Sequence, residues 1–278
     1  MHDVGAWLRA AVDAYGGDLP VRVGTSQWRP TSEPNVEPTI AHPAQPDADA
    51  AAEPEIAHSP EAGSAEAPSP ETHSPVAPPL SAPSPEDALD ELRTRVLPCT
   101  KCKLAATRTH VVFGEGNPRA PVLFIGEAPG FHEDQQARPF VGPAGQLLDK
   151  IIEAAMGYAR GDVFIANVNK CRPPENRDPE PDEVAACLPF LRAQVRIIRP
   201  GVIVCLGRVA SSNLLGTSLP MRALRGQELE YEGIPVVVTW HPAYLLRTPS
   251  AKGETWADIR RVNRLLGRPE VPVPRRDS

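Results

Sequence analysis

No run of about 20 apolar residues occurs in this 278-residue chain, so no membrane-spanning helix is expected. A secretory leader is not expected either. The opening stretch MHDVGAWLRAAVDAYGGDLPV carries Asp3 and Asp13 and lacks an apolar centre, and it reads as a short amphipathic helix within residues 1–29. There are only five cysteines, and in a chain that reads as cytoplasmic they argue against a disulfide framework. No glycine-rich loop is followed by a Walker lysine, and no G-x-G-x-x-G opens a helix, which excludes the two common phosphate cradles. Lysine is absent from residues 1–89.

That last absence marks a division. The formal net charge of −6 looks wrong for a nucleic-acid binder, but it is an average. Residues 1–89 hold 3 Lys+Arg against 14 Asp+Glu, a net of −11. Residues 90–278 hold 26 Lys+Arg against 21 Asp+Glu, a net of +5. Between positions 30 and 89 there are 14 prolines among Ala, Ser and Glu. Such a stretch cannot bury enough apolar surface to offset its chain entropy, so residues 30–85 read as a disordered acidic tether. Residues 86–268 read as one folded domain, and residues 269–278 as a flexible tail.

The domain opens with SPEDALDELRTRVL, whose Ser84 and Asp87 stand three apart in a capping pattern. Four short Val/Ile-rich runs follow: PVLFIGE (121–127), DVFIANVN (162–169), GVIVCLG (201–207) and IPVVVTW (234–240). They are nearly continuous in apolar residues, as strands covered on both faces must be. Helical patterns alternate with them. The expected fold is a three-layer α/β/α arrangement around a mainly parallel, four-stranded sheet. Ligands of such sheets sit beyond the carboxyl ends of the strands, and the unusual residues lie there.

After the first run, GEAPG places Gly126, Glu127 and Ala128 where backbone can approach a ligand closely. An acid beside exposed amides suits a neutral heterocycle or a sugar better than a phosphate. Phe140, in RPFVGP, lies between glycine-rich turns and is either a stacking platform or core. After the second run, Asn167 and Asn169 each offer one acceptor and two donors, enough to read an amide-like edge such as that of uracil, or to satisfy loop backbone. After the fourth, His241 precedes Pro242, which biases it toward extended geometry.

Cys205 sits within an apolar run and reads as a buried thiol. The other four, Cys99, Cys102, Cys171 and Cys187, form C-x2-C, then two single cysteines around the segment after the second strand. The first pair does not follow a strand in a βαβ unit, which disfavours a thioredoxin-type redox pair. Four thiolates suit tetrahedral zinc or a [4Fe–4S] cluster, and the spacing alone does not choose.

Taken together, PCTKC, GEAPG…ED…RPFVGPAGQLL, NVNKCRPPENRDP, Cys187 and HPAYLLR resemble the family-4 uracil-DNA glycosylases, iron–sulfur repair enzymes of bacteria and archaea. The resemblance covers nearly all of residues 90–268. It implies that Cys99, Cys102, Cys171 and Cys187 hold a [4Fe–4S] cluster. It implies that Phe140 stacks on a flipped uracil, Asn167 bonds its polar edge, and Gly126, Glu127 and Ala128 line the pocket. It also implies that His241 donates to O2, that Glu127 and Glu133 act on water or the cationic sugar, and that HPAYLLR presses into the minor groove. Lys101, Lys103, Arg172, Arg177 and Arg247 are candidate DNA contacts. A related branch of the superfamily crosslinks itself to DNA through a basic insert with a nucleophilic His. The corresponding stretch here, CRPPENRDPEPDE, has no His and no basic run, so self-crosslinking is not expected.

The expected function is hydrolysis of the N-glycosidic bond of uracil in single- and double-stranded DNA by a monomer. The expected location is the bacterial cytoplasm, at the nucleoid, with a protein partner for the acidic segment as an open expectation. Two other readings remain: a glycosylase acting on hypoxanthine or xanthine, and a non-catalytic zinc-stabilised nucleic-acid-binding module.

Overall fold

The computed structural model describes residues 83–269. The expected N-terminal helix and nearly all of the acidic tether and C-terminal tail lie outside the described residues. Helix α1 (Pro85–Val96) starts as its sequence requires: Ser84 Oγ accepts from the Asp87 amide at 3.2 Å, Pro85 fills the first turn, and Arg93 and Arg95 sit near the last carbonyls.

The sheet has six strands: β1 (Glu115–Gly116), β2 (Val122–Gly126), β3 (Phe164–Asn167), β4 (Val202–Leu206), β5 (Leu229–Tyr231) and β6 (Ile234–Thr239), in the order β1-β3-β2-β4-β6-β5. The four expected strands form the parallel centre, with Gly126 opposite Asn167. Two short antiparallel strands close the edges. At two and three residues they are too short to carry a periodic signal. The β5–β6 hairpin turns through Glu232 and Gly233, both at positive φ (50° and 77°), as a tight primed turn demands.

The remaining helices are α2 (Phe131–Gln136), α3 (Pro143–Ile151), α4 (Pro181–Ile198), α5 (Arg208–Leu215), α6 (Met221–Leu224), α7 (Pro242–Arg247) and α8 (Lys252–Leu265). Alternation along the strands divides the core into two layers. Leu123 and Ile125 pack with Leu92 of α1 and Leu191 and Val195 of α4. Val122 and Phe124 pack with Leu148 of α3 and Ile259 and Val262 of α8. The chain leaves β2 for β3 on one side, then returns to β4 on the other, so a crevice opens at the carboxyl end of β2. No helix among the described residues is long and apolar enough to cross a membrane.

Candidate functional site

A cleft of about 480 Å³ occupies that crevice. Its walls include Glu127 after β2, Phe140 before α3, Asn167 at the end of β3, and His241, Tyr244 and Arg247 at α7. Residues from four separate sequence motifs thus converge because each follows a strand of one parallel sheet or packs beside one.

Phe140 is held in an unfavourable backbone conformation, with φ 51°. The constraint comes from several sides. Arg160 donates to the Phe140 carbonyl at 3.2 Å and to the Pro139 carbonyl at 2.5 Å. Glu133 Oε1 accepts from the amides of Val141 and Gly142, each at 2.9 Å. Gly145 lies so close that a Cβ there would stand 1.9 Å from the Phe140 carbonyl oxygen. The result places the Phe140 ring 5.6 Å from the His241 ring. Gly126 must lack a side chain, since its Cβ would lie 2.3 Å from Asn167 Oδ1 and 2.5 Å from the Phe140 ring.

Asn167 is 2% exposed, and its Oδ1 is buried without a hydrogen-bond partner. An orphaned buried acceptor costs about 1–3 kcal/mol, so it marks a place where a ligand donor belongs. Asn169 Oδ1 is likewise buried without a partner, but Asn169 does not line the cleft, and its Nδ2 donates to the Glu183 carbonyl at 3.0 Å, which ties the loop to the start of α4. His241 caps α7, and its Nδ1 accepts from the Ala243 amide at 3.1 Å. The neutral ring therefore carries its proton on Nε2. Burial, reinforced by Arg247 and opposed by Glu133, lowers its pKa to about 4, so the ring is an uncharged donor at neutral pH.

The three acids after β2 have different environments. Burial and the nearby Asp178 carboxylate raise Glu127 to about 7, against the pull of Arg208. Asp178 lines the same cleft and pairs with Arg208 at 2.6 Å. Glu133 has one oxygen committed to the loop amides. Asp134, 1% exposed, accepts from the amides of Thr109 and His110 at 2.9–3.1 Å and so has a structural role.

Cys99, Cys102, Cys171 and Cys187 line one small cavity between α1, α4 and the loop after β3. The Lys170 amide donates to Cys187 Sγ at 3.2 Å, and Arg108 donates to Cys171 Sγ at 3.3 Å. Burial pushes the Cys187 thiol up to about 12. Among the described residues, no three His, Cys, Asp or Glu side chains form a group that could hold a single metal ion. Cys205 is fully buried in the core and does not line this cavity, as its apolar run implied.

The basic candidates divide. Arg247 and Arg177 line the cleft. Lys101 lies over the Phe190 ring at 5.2 Å, beside the thiols. Arg172 bonds Asn176 at 2.7 Å and lies over Phe131. Lys103 is engaged by Glu180, Asp182 and Glu183, and Arg177 grips both oxygens of buried Glu183 at 2.7 and 2.8 Å. These last two hold the start of α4. Asp178, Arg160 and Lys170 were not singled out from the sequence. Asp178 and Lys170 both stand inside the quoted NVNKCRPPENRDP stretch, but Arg160 acts through tertiary contacts that no local pattern signals.

Residues 113–260 match the family model of the uracil DNA glycosylase superfamily. Over 167 residues, 59% of this chain and 86% of the relative, it is 47% identical to a type-4 uracil-DNA glycosylase of Thermotoga maritima. It is 44% identical over 188 residues (65% and 87%) to one of Saccharolobus solfataricus, and 42% identical over 192 residues (66% and 87%) to one of Sulfurisphaera tokodaii.

Proposed function

The chain belongs to the uracil DNA glycosylase superfamily, and from that premise we propose that it removes uracil from DNA by hydrolysing the N-glycosidic bond, as a DNA repair enzyme. The observation that carries this reading is the buried, unpartnered Oδ1 of Asn167 facing Phe140 across the carboxyl end of β2. Uracil offers an N3–H donor to such an acceptor. Cytosine presents a lone pair there and leaves the acceptor unsatisfied, a discrimination of about 1–3 kcal/mol.

The base must first leave the stack, at a cost of a few kcal/mol. Phe140 then supplies a stacking face, contributing roughly 1–3 kcal/mol. Leu246, 47% exposed on α7, is the apolar tip available to fill the space left in the duplex. As the bond breaks, negative charge grows on uracil O2, and His241 Nε2–H is a preorganised donor for it. A neutral donor suits an anionic leaving group in a dry site and needs no proton from solvent. The sugar develops positive charge, and a carboxylate stabilises it and orients the water. Of the two acids, Glu127 is better placed for this role, because Glu133 spends an oxygen on the loop that holds Phe140.

We read the four thiols as the holders of a [4Fe–4S] cluster, a reading supported by the single cavity they share and by the likeness to type-4 uracil-DNA glycosylases. Four thiols lining one cavity, with N–H donors on two of the sulfurs, support a thiolate-held group at this place. When bound, it would supply a structural tie between the CTKC knuckle and the loop after β3; the hydrolysis moves no electron. Arg247, Lys101 and Arg172 are the DNA contacts this reading favours. A monomer acting on both single- and double-stranded DNA at the nucleoid, with a partner for the acidic segment, belongs to the same proposal.

Duplexes carrying one uracil, hypoxanthine or xanthine test it. Uracil release well above the other two, from a brown protein containing iron, is expected. Excision of the purines in preference to uracil, or colourless zinc protein without abasic product, would establish one of the other readings.

A further inference from the structure

Lys170 is 1% exposed, and its ammonium has only neutral acceptors: the Asn167 carbonyl at 2.8 Å and Gln194 Oε1 at 2.6 Å. Gln194 is itself fixed, donating to the Phe113 carbonyl at 2.9 Å. No carboxylate pairs with Lys170 among the described residues. A buried charge without a counterion is costly, and proteins keep one only where an opposite charge meets it. Lys170 lines the thiol cavity together with Arg108. A [4Fe–4S] core in its 2+ state with four thiolates would carry a net charge of −2, which Lys170 and Arg108 would offset from within the fold, with the exposed Lys101 at the cavity's rim.

We propose that Lys170 is the buried countercharge of the thiolate-bound cluster and, through its bond to the Asn167 carbonyl, the positioning residue that ties the cluster to the base pocket. This rests on the cluster reading above. Its backbone amide bonds Cys187 and its side chain bonds the residue that reads the base, so one residue spans both sites. The sequence NVNK already contains this link: Asn167 ends β3, and three residues later the lysine folds back beneath it.

Lys170→Met, Lys170→Gln and Lys170→Arg in the full chain test the proposal, with iron per chain and the cluster's reduction midpoint as readouts. Removing a nearby positive charge makes electron addition harder. Lys170→Met and Lys170→Gln are therefore expected to lose iron or, where iron stays, to shift the midpoint to more negative values. Lys170→Arg is expected to keep iron and a midpoint near the wild type. A Met variant with wild-type iron and midpoint would overturn the proposal. So would loss of iron in the Arg variant along with the other two, since shape and not charge would then decide. Absence of iron from the wild-type protein defeats the cluster reading itself, whatever the variants do.

Discussion

Which side chains are charged at neutral pH decides the chemistry of single residues in the cleft. His241 takes up a proton near pH 6.5 when unfolded and near 4 when folded. Between those values the unfolded state binds more protons, so the stability linked to this ring is complete above pH 6.5 and is lost as pH falls toward 4. The wild-type denaturation midpoint is expected to fall more steeply over that range than the midpoint of His241→Gln. Parallel curves would show that the ring is not held neutral. Glu127 works in the opposite sense, since its carboxyl is raised to about 7. If its carboxylate serves the reaction, log kcat/KM rises with pH up to about 7. Asp178→Asn removes one of the two raising causes, so the rising limb is expected to move to lower pH. A limb that stays in place would remove Glu127 from the role given to it.

The elements matter through the loop that presents Phe140. It is bounded by α2 and α3, braced by Arg160 and Glu133, and made possible by glycine at 126 and 145. Gly126→Ala puts a methyl between Asn167 and the Phe140 ring. Displacements of about an ångström in a reacting geometry can cost around 100-fold, and a loss of kcat/KM on that scale is expected with an unchanged circular dichroism spectrum. Wild-type activity in Gly126→Ala would show that the pocket accommodates the added methyl. This loop also shows what sequence could and could not reveal. The four central strands were legible because continuous Val/Ile runs have one explanation in a covered sheet, and the strand-end motifs followed from the topology. The edge strands β1 and β5 were too short to read. Phe140 remained undecided between stacking and core because its setting depends on Arg160, twenty residues away. Lys103 and Arg177 read as candidate DNA contacts, and nothing local reveals that they also pair with Glu183 at the start of α4.

Across the whole molecule, the site residues all fall between Cys99 and Arg247, within the half of the chain that carries positive charge. Deleting residues 1–83 is expected to leave uracil release and iron content intact. DNA affinity at low salt then tests for competition by the acidic segment: a gain that disappears at high salt shows it, and unchanged affinity rejects it. Loss of uracil release on deletion would contradict the placement of all the catalytic machinery downstream.

The most direct test of the central claim is uracil release from a duplex with a single U·G pair by the wild-type chain and by Asn167→Ala, with the matching C·G duplex as control. The expected result is an abasic site at uracil and none at cytosine for the wild type, with kcat/KM for uracil reduced about 10- to 100-fold in Asn167→Ala, the kinetic equivalent of one lost buried hydrogen bond. An Asn167→Ala variant that excises uracil as fast as the wild type, or a wild-type chain that leaves uracil in place, would contradict it.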